Sequence, residues 1–259
     1  MMRHCCWVWA WCFTVLAGFA SQSVSAGTVY SAHSEVNLML AAILDGNSVP
    51  VAGLPAGLDL ELFAIVGDFA ESSGTGFATA SADGLLNGVT PVTGLYSGSF
   101  NLGDSLFQSL SADGGTVAPA DFAISVGFFL TGFTGTNSTL ETYTLQFQLS
   151  YSYQISSTVD DPMTEFAYAQ ELIFAIDGFG NTLLQVADLV DYTNSSSDSG
   201  VVTFDLVIDP SSSNGFGLFH LSGGDPPPTP EPSTFVLVAC GGLGLAFRNW
   251  KKRTPRRGV

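Results

Sequence analysis

A serine, two histidines and a set of carboxylates are the side chains of this sequence that could perform chemistry. Ser105 follows Asp104 in Gly103-Asp104-Ser105-Leu106. A serine nucleophile needs a base within hydrogen-bond reach and donors for its oxyanion. Beyond His4, near the start of the chain, the only histidines are His33 and His220. A zinc site would need carboxylates beside them, and there is no His-x-x-x-His spacing, so no metal centre is expected from them. The chain carries 23 Asp and Glu, yet no two stand out by spacing as a glycosidase pair. Asp45-Gly46-Asn47 and Asp160-Asp161, with Asn194 and Asp198, offer hard oxygen ligands that calcium would accept. None of them matches a known calcium loop, and Asp-Gly and Asp-Pro are turn formers, which is the preferred reading. No cofactor is therefore expected. Tyr143, Tyr151 and Tyr153 would suit a sugar-stacking platform, but their alternation with polar residues places them in a core.

The four letters Gly-Asp-Ser-Leu are similar to the motif of a lipase-esterase family. In that family the catalytic His is usually paired with an Asp three residues before it, and here Gly217 takes that place before His220. The motif also lies mid-chain rather than just after a first strand. Asp104 or Ser105 is better read as a cap or turn start. No catalytic residue is assigned and the protein is expected not to be an enzyme; a hydrolase would need a cleft that brings Ser105 or paired acids to His220.

The elements that would have to position these residues follow from composition. The 259-residue chain is 46% hydrophobic and 12% charged, with Lys+Arg 7 and Asp+Glu 23, so the net charge is 7 − 23 = −16. High apolar content with low charge density excludes disorder. The acidic balance argues against nucleic acid as a partner, because phosphate binding needs Lys and Arg. The charge is also segregated. Between residues 4 and 247 there is no Lys or Arg, and all 23 acids fall between Glu35 and Glu231. Such asymmetry marks segments with different fates.

The N-terminus reads as a secretory signal peptide over residues 1–26. Arg3 is its positive region, Cys5 to Phe19 its apolar stretch, and Val24 and Ala26 the small residues at −3 and −1 of signal peptidase cleavage. Cys5, Cys6 and Cys12 lie in this segment and Cys240 in a C-terminal apolar run. The mature ectodomain then has no cysteine and must be held by core burial, for which about 200 residues suffice. The C-terminus has three parts in order. A proline-rich linker covers 223–229 and leads into Pro230-Glu231-Pro232. An apolar, uncharged stretch follows at 233–247, and a basic tail closes the chain at 248–257, with Arg248, Lys251, Lys252, Arg253, Arg256 and Arg257. Positive charge after an apolar span keeps that end cytoplasmic. Fifteen helical residues reach about 22 Å against a bilayer core of about 30 Å, which suits a temporary anchor in the inner membrane.

This arrangement resembles the PEP-CTERM protein-sorting domain, also known as the ice-binding protein C-terminal domain. Pro230-Glu231-Pro232-Ser233-Thr234 matches its Pro-Glu-Pro motif, and the apolar span and basic cluster follow in the expected order. The resemblance implies a Gram-negative bacterial exported protein handled by an exosortase, a membrane-embedded cysteine protease or transpeptidase. That enzyme would cut near Pro230, Glu231 and Pro232 and release the ectodomain to the cell surface or extracellular matrix. A structural or adhesive role follows by the same resemblance, with extracellular polysaccharide as a candidate partner.

The middle, residues 27–222, reads as one all-β domain, a jelly-roll-like β-sandwich. Tyr143 to Ile155 alternates apolar and polar without a break. Phe122, Ile124, Val126, Phe128 and Leu130 alternate with Ala123, Ser125 and Gly127, and Phe166, Tyr168, Leu172, Phe174 and Ile176 form another set. Val202 to Ile208, Leu58 to Leu62 and Val36 to Leu40 add three more. Asp45-Gly46, Asp83-Gly84, Asn87-Gly88, Asp113-Gly114 and Asp177-Gly178 read as turns, and 194–200 and 211–215 as polar loops. The stretches 101–110 and 182–190 read as short helices. A carbohydrate-binding module is the alternative function; an exposed aromatic row flanked by Asp or Asn would support it.

Overall fold

The computed structural model describes residues 27–116, 121–160 and 167–225. The signal segment, the sorting motif, the apolar span and the basic tail lie outside the described residues, as does Asp161. The described chain is all-β, with twelve strands: β1 (Thr28–Leu44), β2 (Leu58–Ser72), β3 (Phe77–Leu86), β4 (Thr90–Val92), β5 (Leu95–Ser99), β6 (Ser105–Thr116), β7 (Ala123–Asn137), β8 (Tyr143–Val159), β9 (Tyr168–Asp177), β10 (Thr182–Asp191), β11 (Asn194–Ile208) and β12 (Ser213–Asp225). They form two six-stranded antiparallel sheets packed as a sandwich. The first has the order β11-β8-β1-β6-β3-β4 and the second β10-β9-β12-β7-β2-β5. No described helix is long and apolar enough to cross a membrane.

The inward faces follow the period of two. Leu38, Leu40, Leu60, Leu62, Leu106, Leu145, Leu149 and Leu206 interdigitate around Phe100, Phe133, Phe147, Phe204 and Phe216. Phe147 stacks on Phe204 with ring centroids 5.4 Å apart and meets Phe133 edge-on at 4.8 Å. Burial of one such ring contributes about 1.5–3 kcal/mol, and the edge and stacked pairs add to that. A smaller cluster at the other end gathers Tyr30, Ala32, Ala112, Ile155, Ala169 and Val190.

Several sequence expectations are corrected. The stretches 101–110 and 182–190 are not helices. Ser105 onward is β6 and Thr182 onward is β10, each paired in register with its neighbours. Cross-strand pairing and a half-buried face override the helical propensity of Leu, Gln and Ala there. Asp83-Gly84 and Asp113-Gly114 are not turns but lie inside β3 and β6. The glycines are there because rings occupy the space of a side chain. A Cβ on Gly84 would meet the ring of Phe129 at 2.5 Å, and one on Gly114 would run into Tyr30. Residues 194–200 are not a loop but the first half of β11, a serine-rich edge paired to β8. Asn87-Gly88 is the hairpin turn expected, with both residues left-handed at φ 54 and 68. Strand β12 runs on to Asp225, past residue 222.

In β7 and β9 the alternation leaves the inward face open, and the structure assigns it. Ile124, Val126 and Phe128 of β7 and Leu172, Phe174 and Ile176 of β9 are the half-buried residues of the outer face. The inward positions are Ala123, Ser125, Gly127, Phe129, Thr131 and Phe133 on β7 and Glu171, Ile173 and Ala175 on β9. In these two strands both faces are apolar enough for the alternation to be read either way.

Candidate functional site

At the boundary between the two apolar clusters the inward period of two brings polar residues together. On β1, Ser34 sits between Ala32 and Val36; on β9, Glu171 sits between Ala169 and Ile173. They meet Gln108 of β6, Thr131 of β7, and His220 and Ser222 of β12. All six are at most 3% exposed. Ser34 Oγ lies 2.7 Å from His220 Nε2 and 2.7 Å from Ser222 Oγ. Ser222 donates to Glu171 Oε2. His220 Nδ1 is 3.1 Å from Gln108 Oε1, and Gln108 Nε2 donates to Thr131 Oγ1 at 2.9 Å. Glu171 Oε1 lies 3.2 Å from His220 Nε2 and has no hydrogen-bond partner of its own.

With Glu171 as a carboxylate and Gln108 Nε2 on Thr131, counting hydrogens orders the contacts. Ser222 uses its single hydrogen on Glu171, so Ser34 must use its own on Ser222. Ser34 then accepts from His220 Nε2–H. Gln108 Oε1 can only accept, so Nδ1 donates as well. In that arrangement both ring nitrogens donate, and the imidazole faces the carboxylate through two hydroxyls. A buried charge is tolerated only when it is paired and hydrogen-bonded in this way.

This constellation holds one residue singled out by the sequence, His220, and omits another. Ser105 is three positions from Gln108 on the same strand, so it faces the opposite side of the sheet. Its backbone N–H donates to Asn87 Oδ1 at 2.9 Å, and Asp104 accepts from Asn101 N at 2.6 Å. Gly103-Asp104-Ser105-Leu106 is thus a loop closure at the start of β6. Gln108, Thr131, Glu171, Ser34 and Ser222 were not singled out by the sequence. Their signal is a polar residue at inward parity, visible only once parity is known.

Asp45 and Asp177 act as turn formers, whereas Asn194 and Asp198 lie within strand β11. Asp45 Oδ1 accepts from the N–H groups of Asn47 and Val49, both at 2.9 Å. It lines a shallow depression of about 430 Å³ with Asn47, Ser48 and Glu141. Asp177 likewise caps Phe179 and Asn181. Asp198 accepts from Tyr151 at 3.2 Å, away from that loop on β11. The described residues contain no group of three His, Cys, Asp or Glu placed to hold a metal ion.

Of the three tyrosines, Tyr143 and Tyr153 are buried as their alternation implies. Tyr153 donates to Asp188 of β10 at 2.9 Å, bridging the two sheets. Burial pushes its phenol up to about 12, with the Asp188 bond adding to the effect. Ser196 and then Tyr153 hold Asp188 below the usual carboxylate range. Because folded Tyr153 keeps its proton where the unfolded chain releases it, its contribution is complete below pH 10 and is lost as pH rises to about 12. Urea unfolding across that interval should show the loss, and Tyr153→Phe should flatten it; an unchanged slope would refute the assignment.

The two outer faces differ in kind. The first sheet presents Gln148, Ser150, Ser152 and Gln154 beside Glu35, Asp113 and Asp205. On the second sheet Phe174, Phe219, Leu130, Ile65 and Leu95 stand side by side in register across five strands. Phe128 lies over Gly67 and Phe63 over Gly132. No Asp or Asn interrupts that row.

Comparison with known proteins identifies the C-terminal segment. Residues 228–253 match the PEP-CTERM protein-sorting motif. The chain therefore carries this motif, the signal recognised by exosortase. No curated protein matches the chain. Structural alignments include a protein solved as a "putative beta-galactosidase from bacteroides fragilis", at 12% identity, TM-score 0.17, covering 71% of this chain and 28% of that one. They also include a beta-glucuronidase from glycoside hydrolase family 2, at 11% identity, TM-score 0.13, covering 71% and 20%. This chain thus spans less than a third of either protein, and at these TM-scores the alignments carry no argument.

Proposed function

We propose that this is an exported surface or matrix protein with a non-enzymatic, structural role, anchored in the inner membrane for a time and then released by exosortase. The observation that carries the reading is the sorting motif at 228–253, placed after a sandwich whose last strand ends at Asp225. The sandwich itself is suited to a structural part. Its polar cluster is sealed between the sheets, and an acid-free apolar row crosses the outer face of the second sheet. A carbohydrate-binding module would set aromatic rings beside Asp or Asn; here the row of Phe174 and Phe219 runs among Leu130, Ile65 and Leu95, so the structural role is preferred.

Maturation is tested by intact mass combined with trypsin. Removal of residues 1–26 by signal peptidase and of the tail by exosortase leaves a chain without Lys or Arg, since none occurs between residues 4 and 247. The released protein should begin at Gly27, end near Pro230-Glu231-Pro232, and keep its mass unchanged after denaturation and trypsin. A released form that trypsin shortens within 248–257 would show that the tail was retained and would overturn the proposal.

A further inference from the structure

We propose that Thr131 and Gln108 form an intramolecular ester, a covalent staple between the two sheets made by the buried cluster itself. The reacting groups are already in contact. Thr131 Oγ1 is 2.9 Å from Gln108 Nε2 and so one bond removed from the carboxamide carbon Cδ. On the other side of the same amide, His220 Nδ1 lies 3.1 Å from Oε1. An Nδ1–H donating there polarises the carbonyl and stabilises the oxyanion that attack would create. All three residues are at most 3% exposed, so no solvent water competes with the threonine hydroxyl, and a fixed contact replaces a bimolecular encounter.

The step balances without an added reagent. Thr131 Oγ1 forms a bond to Gln108 Cδ, and negative charge collects on Oε1 against His220 Nδ1–H. The threonine proton passes to Nε2, the Cδ–Nε2 bond breaks and ammonia leaves. The carbonyl re-forms as an ester, and alcohol plus amide have become ester plus ammonia. His220 and Glu171 end as they began. Glu171, through Ser222 and Ser34, is a positioning residue that holds the imidazole with Nδ1 on the Gln108 carbonyl.

Composition makes such a staple pertinent. Residues 27–225 contain no Cys, so no disulfide can form, and no Lys, so no amide can form between a lysine and a carboxamide. A hydroxyl–carboxamide ester needs neither. Gln108 lies on β6 of the first sheet and Thr131 on β7 of the second, so the bond would join the sheets across the core.

The test is mass spectrometry of the folded protein recovered from producing cells. The wild type should be lighter than its sequence by the mass of ammonia, about 17 Da. Cleavage at acidic residues should give 105–113 and 122–141 as one joined species, separable by hydroxylamine. Thr131→Val should restore the sequence mass and yield the two peptides apart, whereas Thr131→Ser should retain the loss. A wild type at full sequence mass would overturn the proposal. So would a loss confined to the peptide with Asn87-Gly88, where closure to a succinimide gives the same mass change. Both readouts use the wild type, so they stand even if a variant fails to fold.

Discussion

Replacing Glu171 with Leu should destabilise the sandwich by about 3–5 kcal/mol, the range for removing one partner of a buried charged pair. The substitution removes the carboxylate that faces His220 and deprives Ser222 of its acceptor. Neither group can turn to solvent, since both are fully buried. An unsatisfied buried polar group alone costs about 1–3 kcal/mol, and the uncompensated charge adds to that. For a domain of this size the midpoint of thermal unfolding should fall by roughly 10 °C. The double variant Glu171→Leu/His220→Leu should recover part of the loss, because two apolar side chains leave no stranded charge. Additive losses to within about 0.5 kcal/mol would show that the two residues act independently and that the pairing is wrong.

Sequence and structure part company for identifiable reasons. Where one face is clearly wetter than the other, as from Tyr143 to Ile155 with its Gln and Ser partners, alternation assigns the inward residues correctly. In β7 and β9 both faces are apolar, and the inward side carries the smaller residues Ala123, Ser125 and Gly127. Hydrophobicity favours the wrong side there, because the opposite sheet fills that space with its own rings: Tyr30 of β1 donates to Ala123 O and contacts Ser125. The misread turns have a related cause. Asp-Gly ordinarily bends a chain, but Gly84 and Gly114 supply flat backbone under Phe129 and Tyr30, a demand set by residues distant in sequence.

The buried cluster was hidden for the same reason. Ser34, Gln108, Thr131, Glu171, His220 and Ser222 come from five strands, and no spacing links them. The sorting segment is the opposite case: Pro230-Glu231-Pro232, an apolar span and a basic tail are contiguous, so local order alone carries the signal. The segregation of charge also gains a structural meaning. The −16 of the whole chain averages a basic tail with a domain lacking Lys and Arg, and in that domain the apolar row of the second sheet is free of acids.

Export and release are tested most directly by replacing Pro230, Glu231 and Pro232 together with Ala and fractionating cells that make either form. In the sequence the motif follows the last strand and precedes the apolar span, so the replacement changes the recognition element and no residue of a strand. The wild-type protein should be found at the surface or in the medium without residues 233–259. The replaced form should stay with the membrane fraction, retain those residues, and be released at a small fraction of the wild-type level. Equal release of the two forms, with the same C-terminal end, would contradict sorting through this motif.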